Sequence, residues 1–411
     1  MQGLLKGSAE KIDLFRKKDV AVKVMKDEKP VPGAKVSVKM KSHQFLFGSN
    51  CFMAGQYKSG PENETYTKLF SELLNYGTLP FYWGSYEPER GTTEHKKLLE
   101  MVKWCKDNKI KSKGHPLVWH TVCPKWLTDK DDVGKLLRDR IKDIMLLFGG
   151  AVDWWDVLNE VTVAGYFDNP IAKWAVKSGM KDTVKFCVDA VLNVNPQANL
   201  VLNDFNVSPP DFETLLESIQ KEGVNIKAIG IQSHMHSKLW TPEETANILE
   251  KYKKYRLPIH FTELSVLSGK SVKEVNFHLS DDNEWVTADE DYAAQADYVK
   301  DFYTLLFSSP EVEAVTWWDF PDGNWLRAPS GLVTESLEAK PAYHALKKLI
   351  KEEWQTNVSG AADENGVYSC RAFYGEYEIT VRIPETKEIS VVLDINKNGP
   401  IFGRQEITIR V

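Results

Sequence analysis

Asp153-Trp154-Trp155-Asp156-Val157-Leu158-Asn159-Glu160 is an apolar, aromatic run that stops abruptly on an amide beside a carboxylic acid. A short run of this kind reads as a buried β-strand. Pro258-Ile259-His260-Phe261-Thr262-Glu263-Leu264 repeats the design further along, again closing on a glutamate. Working outward, further apolar runs occupy 45–47, 78–83, 113–119, 200–202, 228–231 and 314–318, with strands of the two quoted stretches at 152–158 and 259–262. Between them lie amphipathic segments such as 98–106, 136–148 and 294–307, whose apolar residues recur at three-and-four spacing. Gly149-Gly150 reads as a helix stop, and Thr241-Pro242-Glu243-Glu244 as a helix start with N-cap, proline and capping glutamate.

Eight alternating strand–helix units over residues 45–352 suit an α/β fold, a closed (β/α)8 TIM barrel. The competing doubly wound sheet lacks its usual mark, since no glycine-rich phosphate loop follows the first strand. In a barrel the chemistry gathers where strands end. The flanks differ. Residues 1–10 read as a frayed end. Val20, Val22 and Val24 then alternate with polar neighbours, as do Val36 and Val38 beyond a turn at 27–30, which predicts a β-hairpin. Alternation returns at 367–373, 377–383, 389–393 and 405–411, predicting antiparallel strands. Each flank is small for a domain. The expectation is an accessory antiparallel β-sandwich completed by 1–44 and 353–411 together.

The chain has 411 residues, 42% hydrophobic and 27% charged, which is ordinary for globular proteins. A formal charge of −6 gives no electrostatic case for nucleic acid or an anionic membrane. No apolar run is long enough to span a bilayer, and residues 1–20 lack the apolar middle of a signal peptide. Cysteines 51, 105, 123, 187 and 370 are odd in number and unpatterned, which argues against a disulfide framework or zinc knuckle. The 13 Trp and 15 Tyr are the informative excess, because flat apolar rings stack on sugars as well as filling cores.

The strand ends carry His115 and Trp119, then Asn159 and Glu160, Asn203 and Asp204, Gln232, His234 and His236, Glu263, and Trp317, Trp318 and Asp319. Two glutamates at facing strand ends are what hydrolysis of a glycosidic bond requires. Glu160 suits the general acid/base, with Asn159 placed to bond a sugar hydroxyl beside the reacting carbon. Glu263 suits the nucleophile, with His234 keeping it ionised and aimed. Alone, either glutamate could be a plain loop acid; together, with Asn159, they argue for chemistry. His234-x-His236 shows no third ligand at metal-site spacing, so neither metal nor cofactor is expected. Asp204 and Asp319 are expected to order loops.

The motifs GHPLVWH (114–120), WDVLNE (155–160), LNDFN (202–206), IGIQSHMH (229–236), FTEL (261–264) and WWDFPDGNW (317–325) resemble, in order, those of glycoside hydrolase family 10, chiefly endo-β-1,4-xylanases. The resemblance implies a TIM barrel with Glu160 as acid/base, Glu263 as nucleophile, and His115, Trp119, Asn159, Asn203, Gln232, His234, Trp317 and Trp325 lining the sugar site. It also implies a retaining mechanism with carboxyls about 5–5.5 Å apart. The implied protein is an endo-acting hydrolase of xylan or substituted xylan, secreted or at the cell surface or periplasm, a monomer whose partner is its polysaccharide. Two other readings stay open: a retaining hydrolase of another β-linked polysaccharide, and an inactive carbohydrate-binding barrel.

This chain also departs from the family pattern. Where the second strand of the family carries a Glu-Asn pair and then a lysine, the aligned residues are Thr78, Leu79 and Tyr82. Val122 stands for a glutamine, Phe205 for a tyrosine, and Ser265 for an aspartate two places past the nucleophile. Each lost bond to a charged group is worth roughly 1.5–3 kcal/mol, so the glycone side is weakened, recognises another sugar, or depends on stacking by Phe81, Tyr82 and Trp83.

Overall fold

The computed structural model describes residues 5–275, 282–384, 388–397 and 403–411. The chain divides into two compact units, one of Phe47–Asp297 with Glu311–Tyr343, the other of Met1–Leu46, Tyr298–Pro310 and His344–Val411.

The first unit is a closed barrel. Its eight strands are, in order, Leu46–Asn50, Tyr76–Pro80, Lys111–His115, Trp154–Asn159, Leu200–Asp204, Ala228–Ile231, Ile259–Val266 and Val312–Trp317. Successive strands from first to sixth pair in parallel, the seventh pairs with sixth and eighth, and the eighth lies beside the first. Strands buried on both faces need near-continuous apolar sequence, and the runs in this chain supply it. The alternate helices include His95–Asp107, Val133–Phe148 and Pro242–Lys253. The last opens on a complete capping box: Glu244 N–H donates to Thr241 Oγ1 at 3.1 Å, and Thr241 N–H to Glu244 Oε2 at 2.7 Å. The helix Val133–Phe148 ends at Gly149.

Strands two and three end earlier than their apolar runs. Tyr76–Pro80 and Lys111–His115 stop before Phe81 and before Leu117-Val118, which are nonetheless buried. The Arg140 guanidinium ties them down, donating from Nε to Leu117 O at 3.2 Å and from Nη2 to Phe81 O.

The second unit holds two four-stranded sheets. In one, Lys17–Lys26 lies between Val367–Phe373, antiparallel, and Gln405–Arg410, parallel, and its end also pairs antiparallel with the two-residue strand Lys29–Pro30. In the other, the order is Asn357–Ala361, Lys35–His43, Gly375–Arg382, Ile389–Ile395. The predicted N-terminal hairpin is therefore corrected: its two strands enter different sheets, each taking C-terminal partners. The accessory sheets are antiparallel as expected, apart from the last strand, Gln405–Arg410, which pairs in parallel with Lys17–Lys26. A helix, Ser8–Arg16, also replaces part of the expected frayed end, residues 1–4 lying outside the described ones. Arg16 explains its order, since the guanidinium donates to Phe307 O at 2.6 Å and Ser309 O at 2.5 Å. Phe307 in turn stacks on Trp354 with centroids 4.2 Å apart. All five cysteines are free thiols.

Candidate active site

Each glutamate is held by the strand that delivers it. Glu160 follows the fourth strand with φ 56°, a left-handed backbone that costs a non-glycine residue energy and is tolerated where the surroundings impose it. Here its N–H donates to Asn203 O at 2.9 Å, and the preceding Asn159 N–H to Val118 O at 3.0 Å. Glu263 lies inside the seventh strand and its N–H donates to Gln232 O at 3.0 Å. The site is thus stitched across neighbouring strands by backbone bonds before any side chain is counted.

A chain of amides joins the two carboxyls. Asn203 Nδ2 donates to Glu263 Oε1 at 2.7 Å and to Asn159 Oδ1 at 2.8 Å. Asn159 Nδ2 donates onward to Glu160 Oε1 at 3.2 Å. Thr262 Oγ1 donates to Asn203 Oδ1 at 2.6 Å, fixing which way that amide faces. Glu160 also receives Gln232 Nε2 at 2.7 Å and the Trp119 indole N–H at 3.0 Å. His234 Nε2 lies 3.1 Å from Glu263 Oε2, and His115 Nε2 lies 4.0 Å from Glu263 Oε1.

Electrostatics separates the pair. Burial pushes the Glu160 carboxyl up to about 8, helped by the charge of Glu263 and opposed by the bonds from Gln232 and Trp119. Burial raises Glu263 as well, but the His115 imidazole, the bond from His234 and the Lys113 charge outweigh it and leave that carboxyl below its ordinary value. Two carboxyls driven apart in acidity are the mark of an acid and an anion with separate tasks. Behind His115 lies a fully buried ion pair: Lys113 Nζ is 2.7 Å from Asp156 Oδ2, which also bonds His115 Nδ1 at 2.6 Å.

Most of the expected residues gather here: His115, Trp119, Asn159, Glu160, Asn203, Gln232, His234 and Glu263 share this network. Tyr82 joins by ring contact, 5.5 Å from His115 and 5.6 Å from Trp119 between centroids. Burial and the surrounding carboxylates, Glu263 first, push its phenol well above the usual range. The Trp325 ring lies tilted against His234, 4.1 Å between centroids. Its loop is pinned by Asp322, whose Oδ1 accepts Gly331 N–H at 2.6 Å and Lys340 Nζ at 2.9 Å. Trp317 is the exception and the expectation for it is corrected. Its ring is wholly buried in the eighth strand and its N–H is spent on Ser330 O at 2.8 Å. The ring that meets the site is that of Trp318, 5.3 Å from His115 and 6.3 Å from His234.

Of the departures, Thr78 and Leu79 are sealed in the second strand. Ser265 Oγ stands 2.7 Å from His234 Nδ1. Asp204 anchors the loop after Glu160 through Thr162 Oγ1 at 3.0 Å, and Asp319 accepts the Asn50 amide. Burial lifts Asp319 to about 6. Among the described residues no group of three or more His, Cys, Asp or Glu is placed to hold a metal ion. Sequence reasoning passed over Thr262, Lys113 and Asp156. A charge amid apolar strand residues, as at Lys113 and Asp156, signals a buried partner, and that signal was available.

Comparisons with known proteins fit this geometry. Residues 42–349 match the family model for glycosyl hydrolase family 10. Similar curated proteins include the anti-sigma-I factor RsgI6 of Acetivibrio thermocellus, 25% identical over 98% of this chain and 49% of that protein. Endo-1,4-beta-xylanase 2 of Arabidopsis thaliana is 26% identical over 97% of this chain and 35% of its own length. The chain therefore spans half or less of these two relatives. Endo-1,4-beta-xylanase B of Thermotoga neapolitana is 26% identical, covering 74% of this chain and 88% of the relative. Among solved structures, xylanase 10B of Thermotoga petrophila in complex with xylobiose superposes with a TM-score of 0.63 at 21% identity, over 75% of this chain and 95% of that one. With the family model spanning most of the chain and the barrel matched by solved folds, the protein belongs to glycosyl hydrolase family 10.

Proposed function

We propose that this chain is a retaining, endo-acting hydrolase of β-1,4-xylan or substituted xylan. Glu160, protonated, gives its proton to the leaving oxygen as the glycosidic C–O bond breaks, while Glu263 forms a bond to the anomeric carbon. Water then attacks that carbon, yields its proton to Glu160, and releases Glu263. The observation that carries this reading is the opposed acidity of two carboxyls joined by one amide chain. Asn159 and Asn203 would bond sugar hydroxyls, Gln232, His115 and His234 would orient the glycone and the catalytic pair, and Trp119, Tyr82 and Trp325 would stack on sugar rings. Relatives named as endo-1,4-beta-xylanases support the substrate class. A polymeric substrate favours action outside the cell, by a monomer with no cofactor. The β segments at 1–44 and 353–411 would form one structural accessory sandwich, and residues 45–352 the barrel.

A second reading, the same chemistry on another β-linked polysaccharide, is favoured by Thr78, Leu79 and Tyr82, which leave the glycone side without the family's charged and amide groups. Product analysis on plain and on glucuronate- or arabinose-substituted xylan, with Glu263→Ala as blank, separates the two. Oligosaccharides from either xylan support the proposal; products only from other polysaccharides sink the substrate class. Glu160→Gln should lose far more activity on poor leaving groups than on activated aryl glycosides, and equal losses would overturn its role as acid.

A further inference from the structure

We infer that Cys51 and Cys105 are a modification site: when the chain folds in an oxidising compartment their thiols join as a disulfide, which clamps the end of the first barrel strand to the helix His95–Asp107. The two stand far apart in sequence with no motif between them, and the fold brings them to one point on the second strand. Cys51 directly follows the first strand, Leu46–Asn50, and its N–H donates to Thr78 O at 3.0 Å. Cys105 lies on the inward face of the helix with Leu98, Met101 and Val102. Between strand end and helix the second strand carries Gly77. A Cβ at 77 would stand 3.1 Å from Cys51 Sγ and 3.6 Å from Cys105 Sγ, so the missing side chain leaves a space that both sulfurs share. The two thiols are in hydrogen-bonding contact, and Cys51 Sγ also donates to Thr78 O at 3.2 Å. Both are wholly buried, and both belong to the barrel unit.

The oxidant is a disulfide from outside the chain, carried by a small molecule or a protein. The thiolate of one cysteine attacks it, forming a mixed disulfide and expelling a thiolate, which takes up a proton. The thiolate of the second cysteine then attacks the sulfur of the first, forming the Cys51–Cys105 bond and expelling the other half of the oxidant. Over both steps two electrons and two protons pass from the pair to the oxidant, which leaves as two thiols. Burial first, and then the neighbouring Cys105, push the Cys51 thiol well above its ordinary range. Thiolate is therefore scarce in the finished fold, and the exchange belongs to the folding chain, before the helix covers the pair. Closing the bond brings sulfurs already in contact to about 2.0 Å, a side-chain movement. The clamp would act on the site through the neighbours of Cys51. On one side the Asn50 amide donates to Asp319. On the other the Phe52 ring meets Tyr82 at 5.9 Å and Trp318 at 5.3 Å between centroids. The pairing is independent of the proposed activity; that it forms in the organism rests on the reading of action outside the cell.

The experiment compares the full chain exported to a bacterial periplasm with the full chain made in a reducing cytosol. Each is denatured in iodoacetamide, digested without reduction and mapped by mass spectrometry. In the exported chain the peptides of Cys51 and Cys105 should be joined, two hydrogens lighter than the separate thiols, with Cys123, Cys187 and Cys370 alkylated. In the cytosolic chain all five cysteines should be alkylated. Alkylation of both Cys51 and Cys105 in the exported chain overturns the inference, since the pair is then two free thiols packed as small apolar groups. A bond from either one to another cysteine overturns it as well. Reducing the exported chain should lower its Tm by about 5 °C, because the bond closes a long loop of the unfolded chain. Cys105→Ala should melt alike with and without reductant. A bonded wild type that also melts alike in both states, or a shift that persists in Cys105→Ala, overturns the clamp. The peptide map of the wild type decides the pairing even if the variant does not fold. None of these measurements needs turnover, so they are separate from failure of the xylanase reading, which would show as no products from either xylan.

Discussion

Asn203 spends both amide protons in opposite directions, one on Glu263 and one on Asn159, and so couples the two halves of the site through one side chain. That residue, with Asn159, Gln232 and His234, was legible because each is a polar side chain placed just where an apolar strand stops. Thr262 was not, because a threonine inside a strand is ordinary β sequence and its hydroxyl shows its use only once the Asn203 oxygen is seen 2.6 Å away. Trp317 and Trp318 are adjacent in a strand-end motif, and hydropathy does not say which ring is sealed in the strand and which, just past its end, faces the site. The acidities make a test. If Glu160 is the proposed acid it must be protonated to act, so kcat/KM should fall as pH rises through about 8. The bond from Gln232 lowers that carboxyl, so Gln232→Leu should move the alkaline limb to higher pH as well as reducing the rate. A limb that stays put or moves down would show that another group sets it.

At the scale of single elements, the third strand illustrates how close packing limits the sequence. Gly114 lies against the Trp155 ring of the fourth strand, and a methyl group at 114 would overlap that buried ring. Gly114→Ala should therefore cost about 1–3 kcal/mol, the usual penalty for overfilling a core, read as a lowered midpoint in urea at unchanged slope. A midpoint equal to wild type would mean the indole can shift aside. The same strand shows why its C-terminal boundary was misread. Leu117 and Val118 are as apolar as any strand residue, yet they owe their burial to the loop that Arg140 ties down, and hydropathy carries no mark of that difference.

For the molecule as a whole, eight apolar runs alternating with amphipathic helices suffice to announce the barrel, because each strand–helix unit is local in sequence. The second unit was harder. Several of its strands pair across more than three hundred residues, as Lys17 with Phe373, and alternation names a strand without naming its partner. One pairing there has a mechanical consequence. Lys17–Lys26 and Gln405–Arg410 run parallel, in register from Val20 with Gln405 to Met25 with Arg410. Tension applied at residues 17 and 410 draws these strands past each other along their length, so the rungs of the ladder share the load and must yield together. Tension at residues 17 and 373, opposite partners of an antiparallel pair, opens rungs one at a time. Single-molecule stretching should find the first geometry markedly stronger than the second; equal rupture forces would show that the ladder does not bear the load. In this register the accessory sheet should act as a shear clamp for tension along its parallel strands.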